Sequence, residues 1–478
     1  MKKISEKLQF KILPWLVATA FFMQMLDSSI LNTALPSIAE SFTENPLQMQ
    51  MAVIAYMLSV VIFLPVSGWL ADRFGTKKIF LTAIIIFTAG SLLCALSYSI
   101  TSLSVSRIAQ GIGGALLVPV GRLAVLKVYP RKQFVQVLSF ITLPALIGPL
   151  IGPMLGGFLV QYASWHWIFL INIPVGILCF AAALYSMPKI ATRSAPKFDW
   201  AGFIFFDSAV LLLFLFASKT TFYGISKTHI FLFAVILILL YCVRSVNKKD
   251  ALFDMKMFGN KSFTIGIAGN FFARLAGGAM PFLSPLFLQT ALNFSPLKAG
   301  ITLLPMGLAA IFAKSLVTPV IKKLGYRKFL TANTIALGIF MASIVFVNGS
   351  TPYGVILFLF ALFGMANSFQ FTAVNTLSLI DLPDSMISGG NGILSVVMQV
   401  SMAMGVALAA FLLDKTAGLE IARNAAEQKL IFTFHSTYII ISIISVLSVL
   451  IFIFIPKDAG SRIKEDKTEK QGERIVPV

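Results

Sequence analysis

The chain alternates between long apolar runs and short polar segments from about residue 13 to residue 456. Fourteen runs approach the ~20 apolar residues that an α-helix needs to cross the hydrocarbon core of a bilayer. The pattern therefore predicts an all-α polytopic membrane protein with fourteen transmembrane helices. The predicted spans are residues 13–35, 49–71, 79–97, 101–126, 134–160, 167–187, 201–218, 229–246, 263–288, 297–321, 329–347, 354–379, 389–413 and 433–455.

The composition supports the same class of protein. Of 478 residues, 58% are hydrophobic and 12% are charged, and the mean hydropathy is +0.88, whereas a soluble domain carries about 25% charged residues. The net charge of +19 does not indicate nucleic-acid binding, because the basic residues form short clusters between apolar runs. We find no nucleotide-binding loop, metal-ligand cluster or Ser/His/Asp set, so we expect no enzyme activity, cofactor or metal.

Lysine and arginine are distributed unequally between the two alternating sets of loops. The set that includes the N-terminus and the C-terminal tail holds 28 of the 38 basic residues, and the other set holds six. Cytoplasmic loops are enriched in Lys and Arg, so we expect both termini to be cytoplasmic. The polar segment 457–478 is predicted to be a disordered cytoplasmic tail.

One carboxylate, Asp27, falls inside the first apolar run. A charged side chain at bilayer depth costs about 3 kcal/mol on insertion scales, and such residues face a protein interior or a water-filled path. Desolvation penalises the charged form, so a carboxyl at that depth can gain and lose a proton. Asp27 is therefore a candidate proton carrier, the alternative being a structural Asp that only pairs with another helix.

The loops after the second and tenth predicted spans resemble each other. When Gly75 is aligned with Gly325, basic residues coincide at three positions, Arg73/Lys323, Lys77/Arg327 and Lys78/Lys328. This internal repeat predicts two related six-helix halves, with a substrate site between them near the bilayer midplane. The predicted units are an N-terminal half, 1–187; an inserted two-helix unit with its loops, 188–262; a C-terminal half, 263–456; and the tail.

Five segments carry more specific motifs. They are Leu26-Asp27 through Asn32 to Leu35-Pro36; Gly68 with Asp72-Arg73-Phe74-Gly75-Thr76-Lys77-Lys78; Leu103-x-x-x-Arg107-x-x-Gln110-Gly111; Gly148-Pro149-x-x-Gly152-Pro153-x-x-Gly156-Gly157; and Trp165-His166-Trp167 through Asn172-Ile173-Pro174. Together they resemble the Major Facilitator Superfamily and, within it, the fourteen-helix drug:proton antiporters. The resemblance runs from the first span to the last and implies the fold of that superfamily and a location in the bacterial inner membrane.

The resemblance also implies roles for particular residues. Asp72 would anchor a charged contact between helices in the outward-facing state, while the Gly-Pro pattern of span five would act as a hinge and a barrier to leak. The alternatives are ordinary topology-determining charge in the loop and close helix packing in span five. The predicted gating residues are Gly68, Asp72, Arg73, Gly75, Gly148, Pro149, Gly152, Pro153, Gly156 and Gly157.

Arg107 is the expected partner of Asp27. At 1.5 Å per residue, Arg107 lies about 9 Å and Asp27 about 12 Å from the same outer boundary, and the family fold places spans one and four side by side. A neighbouring positive charge would favour the carboxylate and oppose its desolvation, so the pair would form a tunable proton-coupling site. A static buried ion pair is the alternative.

Four further residues are candidates for a substrate cavity: Asn32, Gln110, Asn270 and Arg274. Lys314 is expected to extend toward the membrane surface, and a carboxyl such as Asp207, in the inserted pair, is expected to be peripheral. The leading interpretation is a proton-coupled exporter of small amphipathic molecules, whose partners are the substrate, protons and the bilayer. A transporter of one particular metabolite and a non-transporting receptor or scaffold are the alternatives.

Overall fold

The computed structural model describes residues 6–130, 133–188, 198–217, 227–246, 252–417 and 426–456, and every regular element in these ranges is helical. The predicted tail 457–478 and parts of the predicted 188–262 unit lie outside the described residues. The α-helices are α1 (Glu6–Ser41), α2 (Gln50–Phe74), α3 (Thr76–Ala95), α4 (Ile100–Val128), α5 (Phe134–Tyr162), α6 (Trp167–Leu170), α7 (Asn172–Ser186), α8 (Trp200–Ala217), α9 (Lys227–Val246), α10 (Lys261–Leu286), α11 (Pro296–Thr302), α12 (Leu304–Ala342), α13 (Tyr353–Ile380), α14 (Asp384–Ala417), α15 (Ala426–Leu447) and α16 (Val449–Phe452).

Within the described residues, eleven helical segments are long and apolar enough to cross a membrane, and two shorter apolar segments lie in α8 and α9. The longest, Pro296–Phe346, has 51 residues, more than twice the length that one crossing requires. Its backbone leaves helical geometry at Gly325, where φ is 74° and ψ is 160°. The predicted spans 297–321 and 329–347 lie on either side of this residue.

Gly75 and Gly325, the two glycines aligned in the internal repeat, share an uncommon backbone conformation. Gly75 has a φ of 90°, and among the described glycines only these two have a positive φ. A side chain with a Cβ is disfavoured in this region, whereas glycine adopts it readily. The repeat therefore places a conformationally equivalent turn between α2 and α3 and in the middle of α12.

Helices α1 to α7 pack mainly with one another, and α10 with α12 to α16 forms a second group, while α11 packs mainly on α5 and α14 also packs on α2. In the first group α1 packs along α5 and α4 lies against α2 and α3, while in the second α10 packs along α14 and α12 along α13. Helices α8 and α9 pack on each other, and α8 also touches α2 and α14. This packing is compatible with the predicted 6 + 2 + 6 division, which remains a prediction.

Polar contacts identify the two ends of the bundle. We call the end at which α1 begins and α2 ends the basic side, and the opposite end the far side. On the basic side, Lys127 Nζ lies 2.7 Å from Asp72 Oδ1, and Lys77 donates to the Leu184 carbonyl at 2.7 Å. These contacts bring the ends of α2 and α4, and those of α3 and α7, to the same side.

A hydrophobic cluster joins Val61 of α2 to Ile267 of α10 and Val400 of α14, and a larger core shared by the two groups lies at the far side. There, Leu35 and Ala39 of α1 are buried in one cluster with Phe282 and Leu286 of α10. On the basic side, the core of the first group and that formed by α12, α13 and α16 with Ile455 are separate clusters. A hydrogen bond from Gln289 to the Thr33 carbonyl at 2.9 Å also joins the groups on the far side. The far side is therefore closed.

Candidate functional site

Asp27 and Arg107 form a buried ion pair. Arg107 Nη1 lies 2.6 Å from Asp27 Oδ2, and each residue is 1% exposed. The structure thus brings together the two side chains whose depths in α1 and α4 were expected to match. Because no solvent reaches either side chain, the pair is desolvated, and removing one partner would leave an uncompensated buried charge.

Two amide side chains complete the environment of the carboxylate. Gln110 donates to Asp27 Oδ1 at 2.7 Å, and Asn172 donates to the same oxygen at 3.1 Å. Gln110 also accepts a hydrogen bond from Arg107 at 2.7 Å, which the three-residue spacing on one face of α4 permits. We call Asp27, Arg107, Gln110 and Asn172 the Asp27 cluster.

Asn172 was not among the predicted site residues. It is the first residue of α7, directly after the short helix α6, and it is 2% exposed. The available signal was the Trp165–Pro174 motif, which contains it. The hydrogen bond from Asn172 to Asp27 explains a buried amide at this position, because an unpaired polar group would be costly there.

Aromatic and backbone groups hold the guanidinium of Arg107. Its central carbon lies 4.1 Å from the ring centroid of Tyr56 and 6.0 Å from that of Phe169, and its Nε donates to the Ala52 carbonyl at 3.4 Å. Cation–π contacts are stronger in a desolvated site than at a surface. The Asp27 cluster is therefore fixed by elements α1, α2, α4, α6 and α7.

Three glycines of α5 form the contact surface with α1. A Cβ placed on Gly148 would lie 2.8 Å from the Leu26 amide nitrogen, and a Cβ on Gly152 or Gly156 would collide with Ser29 or Thr33. Four-residue spacing puts these glycines on one helix face, and this permits close backbone approach. The structure shows the predicted close packing, directly beside the Asp27 cluster.

Gly157 packs in another direction, toward the second group of helices. A Cβ on Gly157 would collide with the Pro296 carbonyl, and a Cβ on Gly300 would collide with the Pro153 carbonyl. The contact is reciprocal, because each helix places a glycine against the backbone of the other. It joins α5 to α11 on the closed far side.

A cavity of about 340 Å³ lies between α5 of the first group and α10, α12, α13 and α14 of the second. Asn270 and Arg274, two predicted cavity residues, line it, as does Pro149. Asn32 and Gln110 do not line it, and Gln110 belongs to the Asp27 cluster instead. Lys314 also lines the cavity, so the expectation that it extends to the membrane surface is not what the structure shows.

The loop after α2 is held by charged and aromatic contacts. Asp72 pairs with Lys127, and both side chains are partly exposed. The guanidinium of Arg73 lies 5.2 Å from the ring of Trp69. Gly68 faces open space, since a Cβ there would meet no atom within 4 Å. In this conformation, therefore, close packing does not require a glycine at position 68.

Asp207 is a second buried carboxyl, on α8. It is 8% exposed, and neither of its oxygens has a hydrogen-bond partner in the part of the chain that the structure describes. A charged carboxylate without partners is costly in an apolar interior. This residue is therefore the natural comparison for Asp27, which has a full set of partners.

No group of three or more His, Cys, Asp or Glu side chains that could hold a metal ion occurs among the described residues. The three cysteines form no disulfide: Cys94 and Cys179 are buried, and Cys242 is partly exposed.

Comparison with known proteins adds sequence and structural relatives. The sequence profile of the Major Facilitator Superfamily matches residues 17–406. The protein named "Putative multidrug resistance protein MdtD" is 43% identical over 466 residues in both Escherichia coli O157:H7 and Escherichia fergusonii, covering 96% of this chain and 98% of each relative.

Solved structures show the same fold at low sequence identity. A D-xylose–proton symporter matches with a TM-score of 0.66 at 16% identity, covering 95% of this chain and 99% of its own. A bacterial homologue of the human lysosomal transporter Spinster, in an inward-facing and unoccupied conformation, also has a TM-score of 0.66, at 15% identity, with 93% and 98% coverage.

Proposed function

This chain belongs to the Major Facilitator Superfamily, and from that premise we propose that it exports small amphipathic molecules in exchange for protons. It is a multi-pass membrane transporter of small molecules rather than an enzyme. The observation that carries the proposal is the ion pair of Asp27 and Arg107, buried inside the bundle and separated from the cavity by one helix. The name of the MdtD relatives supports drugs as the class of substrate.

Asp27 is the proposed proton-coupling residue. Its carboxylate accepts hydrogen bonds from three donors, and one of these, Arg107, carries a positive charge. Protonation would neutralise Asp27 and weaken its charge-assisted contacts, which are stronger than neutral hydrogen bonds. Uptake of a proton would therefore weaken the interaction between α1 and α4, and release of the proton would restore it.

Helix α5 connects this site to the cavity. Gly148 packs against Leu26, next to Asp27, whereas the following residue, Pro149, lines the cavity. A shift of α1 would therefore reach the cavity through a single helix. Prolines inside a helix remove backbone hydrogen bonds and favour bending, so we assign Pro149 and Pro153 to the bending of α5 during the transport cycle.

The remaining gating residues act at the two ends. On the far side, Gly157 and Gly300 hold the halves together. On the basic side, we propose that Gly68 receives a helix of the other half when that side closes, since its surroundings are open in this conformation. Asp72 and Arg73, with the turn at Gly75, would then position the loop for that contact.

We further propose fourteen crossings in a bacterial inner membrane, with the basic side in the cytoplasm. Division of Pro296–Phe346 at Gly325 turns eleven candidate spans into twelve, and α8 and α9 supply two more. Both termini are then cytoplasmic. In this arrangement the closed far side faces outward, so substrate would enter the cavity from the cytoplasm.

Reporter fusions test this topology. Fusions at Lys197 and Lys256 should report a cytoplasmic location, and a fusion at Lys227 should report the outside, because Lys and Arg concentrate on the cytoplasmic side. Localisation of Lys227 on the same side as Lys197 would exclude a membrane-crossing α8 and refute the 6 + 2 + 6 arrangement.

Transport in inside-out membrane vesicles tests antiport itself. With an acidic lumen, vesicles that contain the protein should accumulate a fluorescent amphipathic substrate against its gradient, because protons leave the lumen as substrate enters. Dissipation of the pH gradient with an ionophore should release the accumulated substrate, and vesicles without the protein are the control. Accumulation that persists after the gradient has collapsed would contradict proton coupling.

A further inference from the structure

The cavity contains positive charge without negative charge. Two of its lining residues, Arg274 and Lys314, are cationic, and none of the described residues that line it is an Asp or a Glu. Its other residues are mostly apolar, with a few amides and Ser368. A positive charge at bilayer depth is costly unless an opposite charge or an aqueous path accompanies it. The cavity therefore favours an occupant that brings a negative charge.

Arg274 is held in place by one edge of its guanidinium. Its Nε donates to Asn270 Oδ1 at 2.9 Å, and Asn270 donates in turn to Asn375 Oδ1 at 2.8 Å. The central carbon of the guanidinium lies 3.9 Å from the ring centroid of Phe371. These contacts fix the orientation of the planar group before any ligand binds.

The terminal nitrogens of Arg274 lack strong acceptors. Nη1 has only the Met402 sulfur at 3.8 Å, and Nη2 is buried without a hydrogen-bond partner. Within the described residues, no carboxylate lies within 4.0 Å of Arg274, whereas Arg107 has one at 2.6 Å. The protein thus supplies a counter-ion to Arg107, whereas no described residue supplies one to Arg274.

The geometry of an arginine fork fits a two-oxygen anion. Guanidinium groups bind carboxylate and similar oxyanions through two parallel hydrogen bonds, with a preorganised geometry that lysine lacks. Lys314 lines the cavity from α12 and, among the described residues, has no carboxylate within 4.0 Å. The positive charge of Lys314 would add a longer-range attraction for an oxyanion bound at Arg274.

The remainder of the cavity suits an apolar body. Met280, Met306, Phe363 and Met402 line it, and methionine adapts to irregular shapes. A volume of about 340 Å³ is at the lower end of the range for sites of drug-sized molecules. The cavity thus combines a compact apolar chamber with a fixed cationic group.

We propose that the substrate is a small amphipathic organic anion, whose oxyanion binds Arg274 while its apolar body fills the methionine-lined chamber. This assignment of a substrate class rests on the proposed export function. It also predicts the charge moved per cycle. Exchange of one monoanion outward for one proton inward moves two charges in the same direction, whereas exchange of a monocation for a proton moves none.

Binding of matched probes to the purified protein tests the proposal without a proton gradient. The probes are 2-naphthalenesulfonate, its neutral sulfonamide and 2-naphthyltrimethylammonium, which share an apolar body and differ in charge. We expect the sulfonate to bind at least about tenfold more tightly than the sulfonamide, as charge-assisted hydrogen bonds imply, and the cation to bind most weakly. Equal or tighter binding of the cation would overturn the proposal.

Substitutions locate the source of the preference. Arg274→Gln should abolish the preference for sulfonate over sulfonamide, Arg274→Lys should retain part of it, and Lys314→Gln should reduce it severalfold. Arg122→Gln is the control, because Arg122 is an exposed cation of α4 that does not line the cavity. A preference that survives in the Arg274→Gln/Lys314→Gln double variant would also overturn the proposal.

Probe binding and vesicle transport together distinguish the proposed substrate class from the proposed proton coupling. Anion-selective binding that depends on Arg274, combined with vesicle transport that ignores the pH gradient, would support the substrate class and refute proton coupling. Proton-coupled transport of a cationic dye, combined with unselective binding, would support antiport and refute the anionic substrate.

Discussion

Asp27→Asn should abolish uphill transport in the vesicle assay while leaving downhill movement of substrate measurable. The amide has nearly the shape of the protonated carboxyl but cannot exchange a proton. In the wild type, one proton driven by 100 mV provides about 2.3 kcal/mol, enough for more than a tenfold substrate gradient because each factor of ten requires about 1.4 kcal/mol. We therefore expect at least a tenfold loss of the accumulation ratio.

Asp207→Asn is the matched control, because Asp207 is also a buried carboxyl, on the apolar helix α8, and has no hydrogen-bond partner among the described residues. It should retain coupled transport. Asp27→Asn leaves Arg107 without a counter-charge, at a cost of about 3–5 kcal/mol, so the double variant Asp27→Asn/Arg107→Gln preserves folding by neutralising both partners. Coupled transport at the wild-type level in that double variant would remove Asp27 from the mechanism.

Gly157→Leu should shift the protein away from the far-side-closed conformation and reduce transport by more than tenfold. Even a Cβ at this position would collide with the Pro296 carbonyl, and overpacking of a well-packed contact costs about 1–3 kcal/mol or more. Gly300→Leu should have the same effect, since it faces the Pro153 carbonyl in the reciprocal contact.

Reaction of an introduced cysteine with a membrane-impermeant maleimide measures this shift. Gln289→Cys places the thiol where Gln289 bonds to the Thr33 carbonyl across the closed side, so labelling should be slow in the parent and faster in the Gly157→Leu background. Gly354→Leu is the control, because a side chain at Gly354 meets no atom within 4 Å. Equal labelling and transport in the Gly157→Leu and Gly354→Leu variants would exclude a gating role for Gly157.

Features that depend on local sequence were predicted well. The sequence aligned Gly75 with Gly325 in the repeated basic loop, and both glycines adopt the same positive-φ conformation. The i, i+4 spacing of glycines in α5 predicted a face for close approach, and α1 occupies it. In both cases the residues that create the feature are neighbours in the chain or along one helix face.

Features that depend on the orientation of each helix about its own axis could not be predicted from the sequence. Depth along a helix can be counted from the sequence, which is why Asp27 and Arg107 could be paired. The direction in which a residue faces depends on tertiary packing when a helix is apolar on most sides. Gln110 therefore faces Asp27 rather than the cavity, Lys314 lines the cavity, and Asn172 was missed although its motif was noticed.

Infrared difference spectroscopy of the purified protein on acidification is the most direct test of Asp27 as the proton carrier, because it detects the carbonyl stretch of a protonated carboxyl without any substrate. We predict a carboxyl band that appears on acidification in the wild type and in Asp207→Asn and that is missing in Asp27→Asn. A band that is unchanged in Asp27→Asn would contradict the account, and its loss in Asp207→Asn instead would place the proton on α8.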